Sequence, residues 1–173
     1  MLYQRCYING LLFYHNDTNL SCGNVPNRIC SLGEQQIMWL YKGTTYDSAP
    51  EQYQGFVYVI TNTATGRKYI GKKNFWTVKK LPPLKGKTNK RHRKVETDWH
   101  SYYGSNETLK KDVETLGPHY FRREIIKLCS NKTTLAYWET KLQFDNEVLM
   151  RDDYYNEFIG CRITARGLRN EDA

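Results

Sequence analysis

Residues 56–61 alternate as a β-strand would: Phe56, Tyr58 and Ile60 fall on one face, Val57 and Val59 on the other. Asn62 to Gly66 carries turn chemistry, with Gly66 free to take positive φ. Lys68 to Gly71 returns as a second strand. If Thr61 or Asn62 pairs near Arg67, Tyr58 and Tyr69 come nearly opposite each other, with neighbouring side chains about 5 Å apart. A slip of one residue would turn one phenol away.

Further along, residues 96–104 read as a short helix or turn anchored by Trp99. Asn106 is placed to cap a helix from Glu107 to Leu116, closed by Gly117-Pro118, with Leu109, Val113 and Leu116 as its apolar face. Phe121 to Leu128 predicts a third strand with Phe121, Ile125 and Leu128 inward and Ile126 on the opposite side. Thr133 or Thr134 is placed to cap a last helix running to about Phe144, with Leu135, Trp138 and Leu142 as its buried stripe.

That stripe singles out Glu139. It lies four residues after Leu135, about 40° around the axis, so it sits beside the apolar stripe rather than opposite it. A carboxylate there is costly unless paired or bound to a cation. One reading is a salt bridge to Arg122, Arg123 or Lys141; the other, supported by the tyrosine hairpin, is a metal-binding or catalytic group.

The 173 residues suit one main domain. Residues 1–37 differ from the rest, being rich in Asn, Cys and Ser, and the patterned part opens at Met38. Residues 1–50 are therefore expected to be an extension, or the natural start to be Met38. A core follows over 51–162, then a tail over 163–173.

Charge changes this picture in one place. The net charge is +8, and between Lys72 and Lys94 there are ten basic residues and no acid, so removing these ten leaves −2. Pro82, Pro83 and Gly86 within the run point to an inserted loop over 72–94. Lys73, Lys79, Lys80, Lys85, Lys87, Lys90, Arg91 and Lys94 are the candidate contacts to a nucleic-acid backbone; a solvated basic loop is the alternative.

Composition excludes other classes. A hydrophobic fraction of 39% with 14% aromatics is too rich for a disordered chain. No apolar run approaches the roughly 20 residues of a membrane span, and no secretory signal is visible. Five irregularly spaced cysteines without a C-x-x-C pair fit a reduced, cytoplasmic setting. Cys6, His15, Cys22 and Cys30 match no common zinc-finger spacing.

The ordered features resemble the GIY-YIG nuclease family, especially its phage homing endonucleases. Phe56-Val57-Tyr58 is a loose counterpart of the first signature, and Tyr69-Ile70-Gly71 is a full match to the second. Leu116-Gly117 with Phe121 to Ile126 resembles the family's helix end and third strand. Leu135 to Glu139 resembles its glutamate helix, and Tyr154-Tyr155-Asn156 its closing asparagine.

The resemblance implies an α+β fold, a small three-stranded antiparallel sheet flanked by helices, over about residues 53–160. It implies Tyr58 and Tyr69 as active-site phenols, Glu139 as ligand to Mg²⁺ or Mn²⁺, and Asn156 as a positioning residue. Lys72 resembles a lysine found after the signature in restriction-type members. The chain departs at the family's arginine, usually about ten residues after the second tyrosine: position 79 is lysine, so Arg91 and Arg93 are candidates and Arg93 is chosen. His92 or His100 could replace the family's histidine, and His100 is carried as the site residue.

The implied activity is metal-dependent hydrolysis of double-stranded DNA by a free-standing phage endonuclease, with homing or DNA-degrading use and a homodimer as an option. Tyr58 is the candidate general base, its pKa lowered by Lys72, Arg93 and the cation. Tyr69 would position or relay the proton. Two alternatives stay open: an inactive nucleic-acid-binding module, and an RNA-directed nuclease whose Phe75, Trp76, Trp99, Tyr102 and Tyr103 stack on unpaired bases.

Overall fold

The computed structural model describes residues 38–169 with their side chains and, upstream, the backbone of two short strands. Those strands, β1 (Gln4–Ile8) and β2 (Leu11–His15), form an antiparallel pair within a separate unit, Met1–Leu32. The side chains of Cys6, His15, Cys22 and Cys30, on which a zinc reading would rest, lie outside the described residues.

The second unit is built on a five-stranded sheet, ordered β4-β3-β9-β5-β6. Its strands are β3 (Trp39–Tyr41), β4 (Thr44–Tyr46), β5 (Gly55–Asn62), β6 (Lys68–Asn74) and β9 (Phe121–Cys129). The antiparallel trio β9-β5-β6 is the sheet expected from the sequence. The sheet is larger than expected because β3 adds in parallel to β9 and carries β4 with it. Strands of three residues are too short to show alternation. Their signal is the Lys42-Gly43 pair, both at positive φ (51° and 82°), which makes the tight turn that joins them.

Asn62 shapes the β5–β6 hairpin. Its side chain accepts from the Ala64 and Thr65 N–H groups at 3.0 and 3.2 Å and donates to the Tyr155 hydroxyl at 2.9 Å. The turn brings Asn62 N–H to the Arg67 carbonyl at 2.8 Å. In the resulting register Tyr58 faces Gly71 and Ile60 faces Tyr69. The two phenols are thus diagonal neighbours on one face, nearly opposite each other as expected from that pairing.

That face holds the main core: Trp39, Phe56, Tyr58, Ile60, Phe75, Trp99, Phe121, Ile125 and Tyr155, joined by Leu109 of α1 (Glu107–Leu116). Asn106 caps α1 as expected, accepting from Leu109 N–H at 2.9 Å. A bulge between Val57 and Tyr58 skips Ile126, which is left exposed. The other face receives α2 (Lys132–Asp145), whose Leu135 packs on Val57 and Cys129. Its cap is Asn131, which accepts from Thr133 and Thr134 N–H, so the expected threonine cap is corrected: both threonines already lie inside the first turn. A short helix α3 (Ala165–Arg169) follows.

The basic segment is not the expected loop. Strands β7 (Trp76–Leu81) and β8 (Arg91–Glu96) pair as a separate antiparallel ribbon, and only residues 82–90 form its connecting loop. Like charges spread over both faces hid the strand period. Among the described residues no helix is long and apolar enough to cross a membrane.

Candidate active site

The register places Lys72 across from Val57 and Ile70 across from Val59, on the face that α2 covers. Tyr58, Tyr69 and Gly71 lie on the opposite face. Strand β6 forms the sheet's edge, so residues from both faces meet around it. A cleft of about 280 Å³ results, lined by Tyr69, Lys72, Ser105, Glu139, Gln143 and Asn156, with Phe158 on its wall.

Glu139 reaches this cleft from α2 and pairs with the Lys72 ammonium. The salt-bridge partners expected for it are engaged elsewhere. Arg122 pairs with Glu124 and Lys141 with Asp145. Arg123 is buried, donates to the His100 and Tyr102 carbonyls at 2.8 and 3.1 Å, and lies against the Trp39 and Tyr103 rings. The Glu139 side chain is 13% exposed. Burial pushes its carboxyl above the ordinary value, with Lys72 pulling partly against that shift.

The two phenols differ. Tyr58 is buried, packs tilted by 42° at 6.2 Å centroid distance against Tyr69 and edge-on at 6.1 Å on Tyr102, and its pKa is held well above the ordinary range, first by desolvation. Tyr69 faces the cleft, exchanges a hydrogen bond of 2.9 Å with the Ser105 hydroxyl, and is raised less, since Ser105 opposes the effect of burial. Ionised Glu139 also raises both phenols. The expected lowering of Tyr58 is therefore corrected: Lys72 is turned to Glu139, Arg93 is elsewhere, and burial dominates. Gly71 makes the arrangement possible, because a Cβ there would lie 2.6 Å from the Tyr58 hydroxyl and 2.9 Å from the Tyr69 ring.

Asn156 does not point its carboxamide at a reacting group. It accepts from Ile70 N–H at 3.0 Å and donates to Ile70 C=O at 2.8 Å, while Gln143 donates to the same carbonyl at 3.1 Å. Lys68 N–H to Asp153 and Tyr155 N–H to Lys68, both 2.8 Å, continue this seam. The edge strand is thereby pinned between Tyr69 and Gly71.

Three expected members are not brought to the cleft. Arg93 is exposed on β8 opposite Lys79, and Arg91 is on the same strand opposite Leu81. Among the described residues no arginine lines the cleft. His100 stacks on Trp99 at 3.8 Å and lies 3.6 Å from Glu96, in a separate pocket with Trp39, Tyr46 and Arg123. Phe75 and Trp99 are wholly buried and closed to bases, which corrects their stacking assignment. Sequence reasoning left out Ser105 and Gln143, single polar residues that carry no motif. It counted Tyr102 only as a base-stacking aromatic, whereas Tyr102 packs edge-on against Tyr58 and covers the Lys73 ammonium at 3.7 Å.

A hydrated divalent cation fits the donors present. Glu139 offers one burial-strained carboxylate beside open space, and a cation that keeps its waters needs only one or two carboxylates plus phosphate oxygens. Among the described residues no cluster of three or more His, Cys, Asp or Glu could form an all-protein cage.

A tyrosine hairpin with a helical carboxylate across the edge strand defines a small α+β domain of the GIY-YIG class. The chain belongs to that family: the family model described as "Putative endonuclease segE, GIY-YIG domain" matches residues 39–159. It is also similar to the "Putative endonuclease segD" of Enterobacteria phage T4, 29% identical over 106 residues, a match covering 61% of this chain and 38% of that protein. The chain thus spans well under half of that relative's length. No solved structure matches it.

Proposed function

We propose that the chain is a metal-dependent endonuclease that hydrolyses phosphodiester bonds of duplex DNA, used in phage-type gene homing or DNA degradation. The observation that supports this best is the meeting of Glu139, Lys72 and Tyr69 in one cleft around the pinned edge of β6.

Glu139 would hold the divalent ion, Mg²⁺ or Mn²⁺, which when bound supplies positive charge to the phosphate group under attack. Lys72, drawn from its partner, turns its ammonium toward a non-bridging phosphate oxygen. Tyr69 donates its phenolic hydrogen bond to the same phosphate and can exchange its proton with Ser105. Tyr58 stays protonated and serves as the packed support that fixes the Tyr69 ring. Asn156 acts through the Ile70 main chain as a positioning residue.

The test is incubation of supercoiled plasmid with the protein and Mg²⁺, with an EDTA control, alongside single-stranded DNA and RNA of the same sequence. Nicking of duplex that EDTA stops supports the proposal. Duplex binding without cleavage in any metal supports a binding module instead, a reading favoured by the lack of an arginine in the cleft among the described residues.

A further inference from the structure

We propose that the β7–β8 ribbon is the sequence-reading element, entering the major groove of duplex DNA with Lys79, Arg91 and Arg93 toward the base edges. This rests on the nuclease reading above.

The ribbon has no core of its own. Nearly every residue from Thr77 to Lys94 is exposed, including Val78 at 58%. It carries eight cations and no acid over residues 77–95, and among the described residues none of the eight forms an ion pair. Lys79 stands directly opposite Arg93. Like charges facing each other across a ladder are destabilising, and an isolated two-stranded hairpin is marginal to begin with. A polyanion laid along it removes that repulsion.

The register sorts the cations. Near the root, one face leans on the body: Lys94 covers the Trp76 ring at 4.5 Å and donates to the Glu51 carbonyl at 3.4 Å. Side chains alternate, so Lys79, Arg91 and Arg93 project from the opposite face. Arg91 donates its Nε to the Pro82 carbonyl at 3.2 Å, which steadies the guanidinium. Both arginines of the ribbon thus lie on the outward face, while Lys80 and Lys94 lie on the other and Lys85, Lys87 and Lys90 in the connecting loop.

This separation matches the two kinds of DNA contact. A guanidinium fork suits guanine O6 and N7, whereas lysines suit phosphates as point charges. A major groove about 12 Å wide admits a two-stranded ribbon as it stands, whereas a minor groove of about 6 Å takes one only after the duplex is deformed. Six residues per strand span about 20 Å, roughly six base pairs of groove. Arg93, lost from the cleft, thereby finds its place.

Dimethyl sulfate separates the grooves in one experiment, since it methylates guanine N7 in the major groove and adenine N3 in the minor. The 173-residue chain in EDTA is bound to methylated duplex of mapped cleavage sites, and bound and free fractions are compared. Guanine N7 methylation within the site is expected to lower binding at least about fivefold, with adenine N3 methylation without effect. Arg93→Ala, at an exposed position, is expected to erase interference at particular guanines, and Lys79→Ala to weaken binding without erasing it. Interference confined to adenine N3, none at all, or an unchanged guanine pattern in Arg93→Ala overturns the proposal. Plasmid nicking in Mg²⁺ keeps the two readings apart. Nicking without guanine interference removes the ribbon proposal alone; loss of both nicking and duplex binding removes the nuclease reading with it.

Discussion

Asn156 spends both ends of its carboxamide on one residue, accepting from Ile70 N–H at 3.0 Å and donating to Ile70 C=O at 2.8 Å. Gln143 gives the carbonyl a second donor, but Ile70 N–H has Asn156 as its partner. Asn156→Ala should leave that buried N–H unmet and cost about 1–3 kcal/mol, read by denaturant unfolding. Asn156→Asp should be no better, because a carboxylate oxygen would then face the Ile70 carbonyl. Stability unchanged in both variants would show that the clamp does not hold the edge strand.

Gly71 makes a second prediction by packing rather than by φ. A methyl group at 71 would enter the space of both phenols. Gly71→Ala should destabilise the fold by about 1–3 kcal/mol. It should also depress cleavage more than Tyr58→Phe does, since the latter keeps the ring that supports Tyr69. Equal stability of Gly71→Ala and wild type would contradict the close packing of both phenols over Gly71.

The Glu139 carboxyl sets a pH dependence. Its folded value is raised above 4.5, so the stability it contributes is present below about pH 4.5 and lost as pH climbs through the raised value. Glu139→Gln should therefore gain stability relative to wild type between pH 4 and 7. A divalent cation reverses the sign for wild type only. At ten times its dissociation constant it should add about 1.4 kcal/mol at pH 7, a rise in Tm of a few degrees, and less near pH 4.5. The same rise in Glu139→Gln, followed by scanning calorimetry, would place the ion elsewhere.

The ribbon's tip lysines address phosphate. Replacing Lys85, Lys87 and Lys90 with Ala should weaken duplex binding equally for all sequences. The slope of log K against log salt should fall by about 0.9 for each lost phosphate contact. Fluorescence anisotropy over a salt series measures it, and an unchanged slope would turn the tip away from DNA.

Much of this was legible in the chain because local chemistry and periodicity agreed there. Asn62 to Gly66 carries the turn chemistry of its hairpin, Asn106 caps its helix, and Leu135 fixes which side of α2 is buried, so Glu139 could be placed beside the stripe. What the sequence hid depends on distant residues. The diagonal placing of Tyr58 and Tyr69 follows from the Asn62–Arg67 pairing, one step finer than alternation can decide. The burial that raises the Tyr58 phenol comes from Trp39 and Tyr102, remote in sequence. Strands β7 and β8 were hidden because uniform lysine and arginine leave no apolar face to read.

Plasmid nicking by Glu139→Gln tests the central claim most directly. With Mg²⁺ at pH 7, the variant should bind duplex within about threefold of wild type yet nick it at least about 10²–10³-fold more slowly. Nicking at the wild-type rate would take the carboxylate, and with it the cleft around β6, out of the chemistry.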